Sequence, residues 1–537
     1  MDDKSFTGAF GLSNTSIIFI FAILGICALH YHFRIRFDPR EPPVIHHPVP
    51  YVGHIWGMFK YGAKYFQIVN PQNYPIYTLP TLTSRTYITT SPTLASLVQR
   101  THPNLSFYSI ILPITQRLCA LDEPTMRIVL ANANGKPGPE ALMPEMHEMI
   151  TSTLGPGDAL RELTGSQVAE MGRLFAPVAE GEEKEVLSLY GFVTDVFTKA
   201  NAWALYGPQN VFRRDPGLIR DFWTYEGGIV GLLADVVPWV TARKAWLARE
   251  RLMKAFETYV AEKGYEEAST LIQRRVEMNR RHGFSVKMAG HAELIMLFGV
   301  LGNAVPTSFW VVTNIFSRPE LLAELRAELE KVVREEEGVR VVSVTALRER
   351  CPLLISTMRE TMRVIAILAS VKYVLEDTLI ADKYLLKANS VVQIASGVTH
   401  IDENIWGADA KTFNPRRFMA PKPVNGSTEK EVIDRKEPET QQSAVNLPKG
   451  VPSAAYRVFG GGSVICPGRH FAQNEIAAFT AMMVLGFDME EADGGRIRLP
   501  EKDEQTVPLS VMKPKKDIQV RMMRREGFEN VKWEMEL

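Results

Sequence analysis

Apolar residues recur three and four positions apart through residues 245–268, 291–316 and 319–333, and that period predicts three helices. Ser317, Arg318 and Pro319 separate the second from the third, with Pro319 suited to a first helical position. The Glu/Lys/Arg face of the third reads as solvated. Short β-branched runs at residues 87–90 and 390–394 predict strands of a minor sheet. The pattern is therefore mainly α with minor β, without internal repeats. Residues 422–449 turn polar and proline-rich, the mark of a long surface loop.

One stretch departs from this amphipathic pattern. The 29 residues between Lys4 and Arg34 contain no Asp, Glu, Lys or Arg, and their centre, SIIFIFAILGICAL, is almost wholly apolar. A helix of that length crosses a hydrocarbon core of about 30 Å, so one N-terminal transmembrane helix is predicted. No basic segment precedes it, which disfavours a cleaved signal peptide. Asp2 and Asp3 lie before the span and Arg34, Arg36 and Arg40 after it, which leaves the bulk of the chain cytosolic. PREPPVIHHPVP then supplies five prolines as a stiff spacer. The expected organisation is an anchor over 1–37, a proline-rich hinge over 38–50 and one catalytic domain over 51–537.

Composition narrows the function. At 46% hydrophobic and 23% charged the chain is globular, and its 61 basic residues balance 61 acidic ones, so no basic field exists to hold nucleic acid. The four cysteines, Cys27, Cys119, Cys351 and Cys466, are too scattered for a disulfide framework or a CxxC zinc site. Cys27 lies in the apolar run as a filler. Cys466 stands apart within FGGGSVICPGRHFAQNE, where glycines permit close backbone approach to a flat ligand and the predicted helix over 469–485 turns its positive end toward the sulfur. That setting suits an iron-binding thiolate. A buried cysteine in a glycine-rich turn and a phosphate-cradling loop are the bland readings, the second weak because no Gly-Lys-Ser/Thr follows.

FGGGSVICPG resembles the haem-binding loop of the cytochrome P450 family, FxxGx(R/H)xCxG, with Phe459, Gly462, Cys466 and Gly468 in register and Val464 where most members carry a basic residue. Glu360 and Arg363 resemble the ExxR motif, and Arg417 in FNPRRF resembles the arginine that completes a Glu-Arg-Arg cluster. THIDENIWGADAKTF over 399–413 matches a further stretch of the pattern. The resemblance implies the cytochrome P450 fold, haem b held by Cys466, a structural role for Glu360, Arg363 and Arg417, and Lys372 as a propionate partner that offsets Val464.

The predicted central helix lacks the acid and alcohol that most members use to deliver protons. Instead Gly302, Asn303, Pro306, Phe309 and Trp310 resemble the GNxxPxxFW pattern of the branch that includes prostacyclin synthase and the bile-acid sterol hydroxylases. Asn303, Pro306 and Thr307 are thus the candidate catalytic residues, with Pro306 expected to open the helix. Asn303 filling the helix break, and Thr307 bonding back to its backbone, are the structural alternatives. The resemblance implies a monooxygenase acting on a lipophilic small molecule of terpenoid, steroid or polyketide type, similar to fungal natural-product enzymes. It also implies a monomer, single-pass in the endoplasmic reticulum membrane, served by a separate NADPH-cytochrome P450 reductase docking near Arg457, Arg469 and His470. A reductase-independent isomerase or lyase and a non-catalytic membrane haem protein are the competing readings. Residues 222–239, rich in Gly and aromatics, fall where access-channel helices run in the family.

Overall fold

The helix predicted over 291–316 starts five residues earlier, at Val286, and runs without interruption to Phe316. Ser285 caps it by accepting the N–H of Met288. From Leu294 onward it carries no charged side chain and is apolar nearly all round, so it can only be buried. In the computed structural model of the chain it is the axle of the molecule, packed against the helices Arg243–Ala261, Leu189–Tyr206, Pro352–Ile365 and Arg469–Gly486. The structure describes residues 35–419 and 445–534, apart from 50–51, 82–83, 101, 137, 139, 177–185, 338, 368, 506–510 and 529–530. The expected membrane span and most of the loop expected over 422–449 lie outside the described residues. Among those described, only Val286–Phe316 is long and apolar enough to cross a membrane, and 72% of its most apolar stretch is buried in the protein, as befits a core helix.

The other expected elements form with shifted ends. The helix expected over 245–268 is Arg243–Ala261 followed by a 3-10 turn, Gly264–Glu267. The one expected over 319–333 starts at Pro319 but stops at Leu329, continues as a 3-10 turn, Glu330–Val332, and leaves only Val333 to the strand Val333–Glu336, paired with Val339–Ser343. The expected strands belong to one five-stranded sheet ordered Ile76–Pro80, Arg85–Thr89, Ser390–Ala395, Ala369–Val374, Leu105–Ser106. Its neighbours are antiparallel except Arg85–Thr89 beside Ser390–Ala395.

Part of the proline-rich stretch is laid on this sheet. Prolines cannot donate, but the Pro43 carbonyl accepts the N–H of Thr78 at 2.8 Å and the Pro42 carbonyl its hydroxyl at 2.8 Å. The buried Glu41 takes hydrogen bonds from Arg85 and Tyr87, each at 2.6 Å. Glu41, Pro42 and Pro43 thus contact the sheet from inside the segment expected to be a spacer.

Candidate active site

The helix Pro352–Ile365 positions the first group of expected residues. Its N-terminal amides, Leu353 and Leu354, donate to the Glu328 carboxylate at 2.8 and 2.9 Å, a cap drawn from the helix Pro319–Leu329. Three residues apart on its face, Glu360 and Arg363 are both fully buried and joined by two hydrogen bonds of 2.8 Å, Nε to Oε2 and Nη2 to Oε1. Arg363 spends its third nitrogen on the carbonyls of His400 and Ala410. Arg417 donates Nε to both Glu360 oxygens at 3.1 Å and grips Asp409 at 2.9 and 3.0 Å. The structure therefore brings Glu360, Arg363 and Arg417 together with their donors satisfied, the condition under which such a buried charge group is tolerated.

His400 links this cluster to the cysteine loop. Its Nε2 accepts the N–H of Arg457 at 3.0 Å, which puts the ring proton on Nδ1, donated to the Ala366 carbonyl at 3.1 Å. Burial holds this histidine neutral, down to about 4. Motif reading had found the stretch around His400 but not this role, which rests on backbone partners that leave no sequence signal.

From Arg457 the loop runs to Cys466. Phe459 and Val458 pack against Met362 and Ala366, so the loop stands on the Glu360 helix. The Cys466 N–H donates to the Phe459 carbonyl at 2.9 Å and closes the loop. Gly462 has φ of 60°, and a Cβ there would meet the Gln99 carbonyl at 2.5 Å, so only glycine fits. Gly468 precedes the helix Arg469–Gly486, with ordinary room for a side chain. As a residue Cys466 is half-buried, whereas Cys119 and Cys351 are fully buried with thiols pushed up to about 12 by burial. The Cys466 thiol faces opposing influences at the start of the helix Arg469–Gly486. Burial is the largest influence and raises it, and the amides of Gly468 and Arg469 only oppose that.

Cys466 lies on the wall of a cavity of about 1160 Å³ with a largely apolar lining that includes Leu105, Phe107, Ile111, Leu112, Val129 and Ile150. Lys372 also lines it, from the strand Ala369–Val374, with Nζ donating to the Arg100 carbonyl at 3.1 Å and burial lowering its ammonium. The segment 222–239 folds as three short helices, Gly217–Gly227, Ile229–Ala234 and Pro238–Thr241, and gives no residue to the lining. Arg457 is 4% exposed, which removes it from any docking surface, while Arg469 and His470 are partly exposed.

On the central helix, Pro306 does not open a break: the helix continues through it. Asn303 uses its side-chain oxygen to accept the Val511 N–H at 3.1 Å, and Thr307 bonds back to the Asn303 carbonyl at 2.7 Å. The cavity takes Ala292 and Ile295 from this helix, and Asn303, Pro306 and Thr307 are not in its lining. Ser308 is buried with a hydroxyl lacking a partner.

Residues 241–522 match the family model of cytochrome P450, just over half the chain. The chain is 28% identical over 528 residues to "Cytochrome P450 monooxygenase nodJ" of Hypoxylon pulicicidum, covering 96% of this chain and 97% of the relative. It is equally similar, 28% over 529 residues with 95% of each chain covered, to a "Cytochrome P450 monooxygenase" of Gibberella zeae. It is 24% identical over 526 residues to the "5-beta-cholestane-3-alpha,7-alpha-diol 12-alpha-hydroxylase" of Sus scrofa, covering 95% of this chain and 98% of that one. With the family match spanning the central helix, the Glu360 cluster and the cysteine loop, the chain belongs to the cytochrome P450 family and is a monooxygenase with a haem-thiolate cofactor.

Proposed function

We propose that this monooxygenase inserts oxygen into a lipophilic small molecule, with Cys466 as the sulfur ligand of haem b. The observation that carries the reading is the place of Cys466 on the wall of the large apolar cavity. The residues present fit the group. A thiol whose burial opposes ionisation is stabilised as thiolate by a bound cation, the glycine at 462 keeps the loop backbone low, and Lys372 puts an ammonium in the same cavity. Bound there, haem with a thiolate ligand supplies reductive activation of dioxygen. Phe459, Gly462 and Gly468 shape the loop, Lys372 offers a cation to a propionate, and Glu360, Arg363 and Arg417 hold the scaffold beneath. Asn303 is a positioning residue that fixes the segment at Val511, with Pro306 and Thr307 shaping the same stretch of helix.

The apolar lining and the relatives named as sterol hydroxylases and fungal monooxygenases support a terpenoid, steroid or polyketide type of substrate. Electrons come from a separate NADPH-cytochrome P450 reductase, docked near Arg469 and His470. The catalytic domain, a monomer, faces the cytosol, anchored to the endoplasmic reticulum membrane by residues 1–37. Exposed Trp56 and Phe59 on the helix Gly53–Tyr61, just after the hinge, support a bilayer nearby. The test is to incubate protein and reductase with candidate lipophiles under labelled dioxygen, with and without NADPH. NADPH-dependent label in the product is expected. Unlabelled, NADPH-independent rearrangement would replace this reading with the isomerase one.

A further inference from the structure

The cysteine loop lacks the basic residue that its pattern leads one to expect: position 464 is Val464. Seven residues earlier, Arg457 is buried at 4% exposure, and its Nε and Nη2 are buried without any hydrogen-bond partner. Its remaining bond is a long one, Nη1 to the Ala454 carbonyl at 3.4 Å, and it has no ion pair among the described residues. Burying an unpaired guanidinium is among the costliest arrangements a fold can adopt, so such a group calls for an anion. Burial with nothing opposing it pushes Arg457 down to about 10.

The surroundings point the same way. A Cβ on Gly461 would meet Arg457 Nη2 at 2.8 Å and Gln99 Oε1 at 2.8 Å, so the guanidinium lies against the loop where the loop has no side chain. Both side-chain polar atoms of Gln99 are likewise buried without partners. Gln99 takes the Ser463 hydroxyl on its carbonyl at 3.2 Å, and Lys372 bonds the carbonyl of the next residue, Arg100. Ser463, Val464 and Lys372 all line the cavity. The unsatisfied cation and amide thus sit directly behind the polar rim of the cavity, beside the position where the base is missing.

We propose that Arg457, assisted by Gln99, is the second cation for the carboxylates of the haem, taking the charge role that position 464 does not fill. The assignment rests on the haem-thiolate reading above. It explains why a guanidinium is kept inside the fold: charge-assisted, forked hydrogen bonding to a carboxylate is what arginine provides and a neutral side chain does not.

The holoenzyme tests it through haem retention rather than turnover. Arg457→Met is compared with wild type and with the double variant Arg457→Met/Val464→Arg, following transfer of haem to excess apomyoglobin and the reduction potential of the iron. Arg457→Met should lose haem about tenfold faster or more, the scale of one charge-assisted hydrogen bond, and its potential should fall because a cation no longer favours the added electron. The double variant, with its guanidinium supplied from position 464, should restore retention to within about threefold of wild type. A merely structural arginine would not be rescued from another position. Haem loss at the wild-type rate in Arg457→Met, or a double variant as leaky as the single one, overturns the assignment. If methionine prevents folding, Arg457→Gln keeps a hydrogen-bonding group there, and the same outcomes apply. A wild-type protein that binds no haem would instead sink the underlying reading.

Discussion

Asn303 and Val511 are joined by a hydrogen bond of 3.1 Å, the backbone N–H of Val511 donating to the side-chain oxygen of Asn303. Seven residues on, about two helical turns, Trp310 donates Nε1 to the Met512 carbonyl at 2.7 Å. Two members of the GNxxPxxFW pattern therefore pin one short segment to the central helix. Asn303→Ala removes the acceptor, which should cost about 1–2 kcal/mol and lower the melting temperature. The same change should consume NADPH with less product. Asn303→Asp, nearly isosteric and still an acceptor, should retain most of both. Wild-type melting and coupling in Asn303→Ala would remove this residue from the positioning role.

The Glu360 cluster is expected to be structural. Glu360→Ala leaves Arg363 without its carboxylate and Arg417 with Asp409 as its remaining ion-pair partner, and Arg363→Ala removes two of the charge-assisted hydrogen bonds of the fully buried Glu360 carboxylate. Each should cost about 3–5 kcal/mol, the scale of a broken buried ion pair, and yield haem-poor or misfolded protein. Haem content and circular dichroism decide it. Full haem occupancy with selective loss of turnover would instead place these residues in the chemistry.

The three cysteines of the described chain separate cleanly by environment. Cys119 and Cys351 are enclosed, and only Cys466 faces the cavity. Cys466→Ala should abolish the red-shifted absorption of the reduced carbon monoxide complex, while Cys119→Ala and Cys351→Ala should keep it. A band that survives in Cys466→Ala would move the ligand elsewhere.

The sequence made legible what is local or periodic. The core helix announces itself by its unbroken apolar face, and Glu360 with Arg363 by a three-residue spacing that helix geometry turns into a contact. The cavity was not legible, because most of its wall is assembled from strand, loops and helices between residues 102 and 295 that share no period. The tether to Val511 was hidden for another reason: a side chain bonding a backbone amide 208 residues away imposes nothing on the identity of the partner. Arg457 misled as a docking charge since composition counts charges without seeing burial.

The contacts of Glu41, Pro42 and Pro43 with the sheet fix how an anchor deletion should behave. Deleting residues 1–34 should move the protein from the membrane to the soluble fraction with its haem content intact. Extending the deletion through residue 45 takes away Glu41, the partner of Arg85 and Tyr87, and the carbonyls that hold Thr78. The longer deletion should therefore melt earlier than the shorter. Equal melting temperatures would mean that the proline-rich stretch is only a spacer.

Glu475 gives the fold a pH dependence that can be isolated. It lies buried on the helix Arg469–Gly486, with Oε2 accepting from Gln167 Nε2 at 2.5 Å and from Asn201 Nδ2 at 3.0 Å. Burial outweighs these donors and pushes the carboxyl up to about 8 from its ordinary 4.5. Between those values the folded protein binds a proton that the unfolded chain releases, so stability is lost as pH rises across that window, at up to about 1.4 kcal/mol per unit. His400 works in the opposite sense: held down to about 4, it loses stability as pH falls from 6.5. Comparing wild type with Glu475→Gln cancels the histidine, because both proteins contain it. The glutamine keeps an acceptor for Gln167 and Asn201 and cannot ionise. The two holoenzymes should melt at similar temperatures near pH 5, and Glu475→Gln should melt progressively higher than wild type from pH 6 to pH 8.5. Melting curves that run parallel across that range would mean that Glu475 is ionised in the folded protein, stabilised by more than the neutral amides of Gln167 and Asn201.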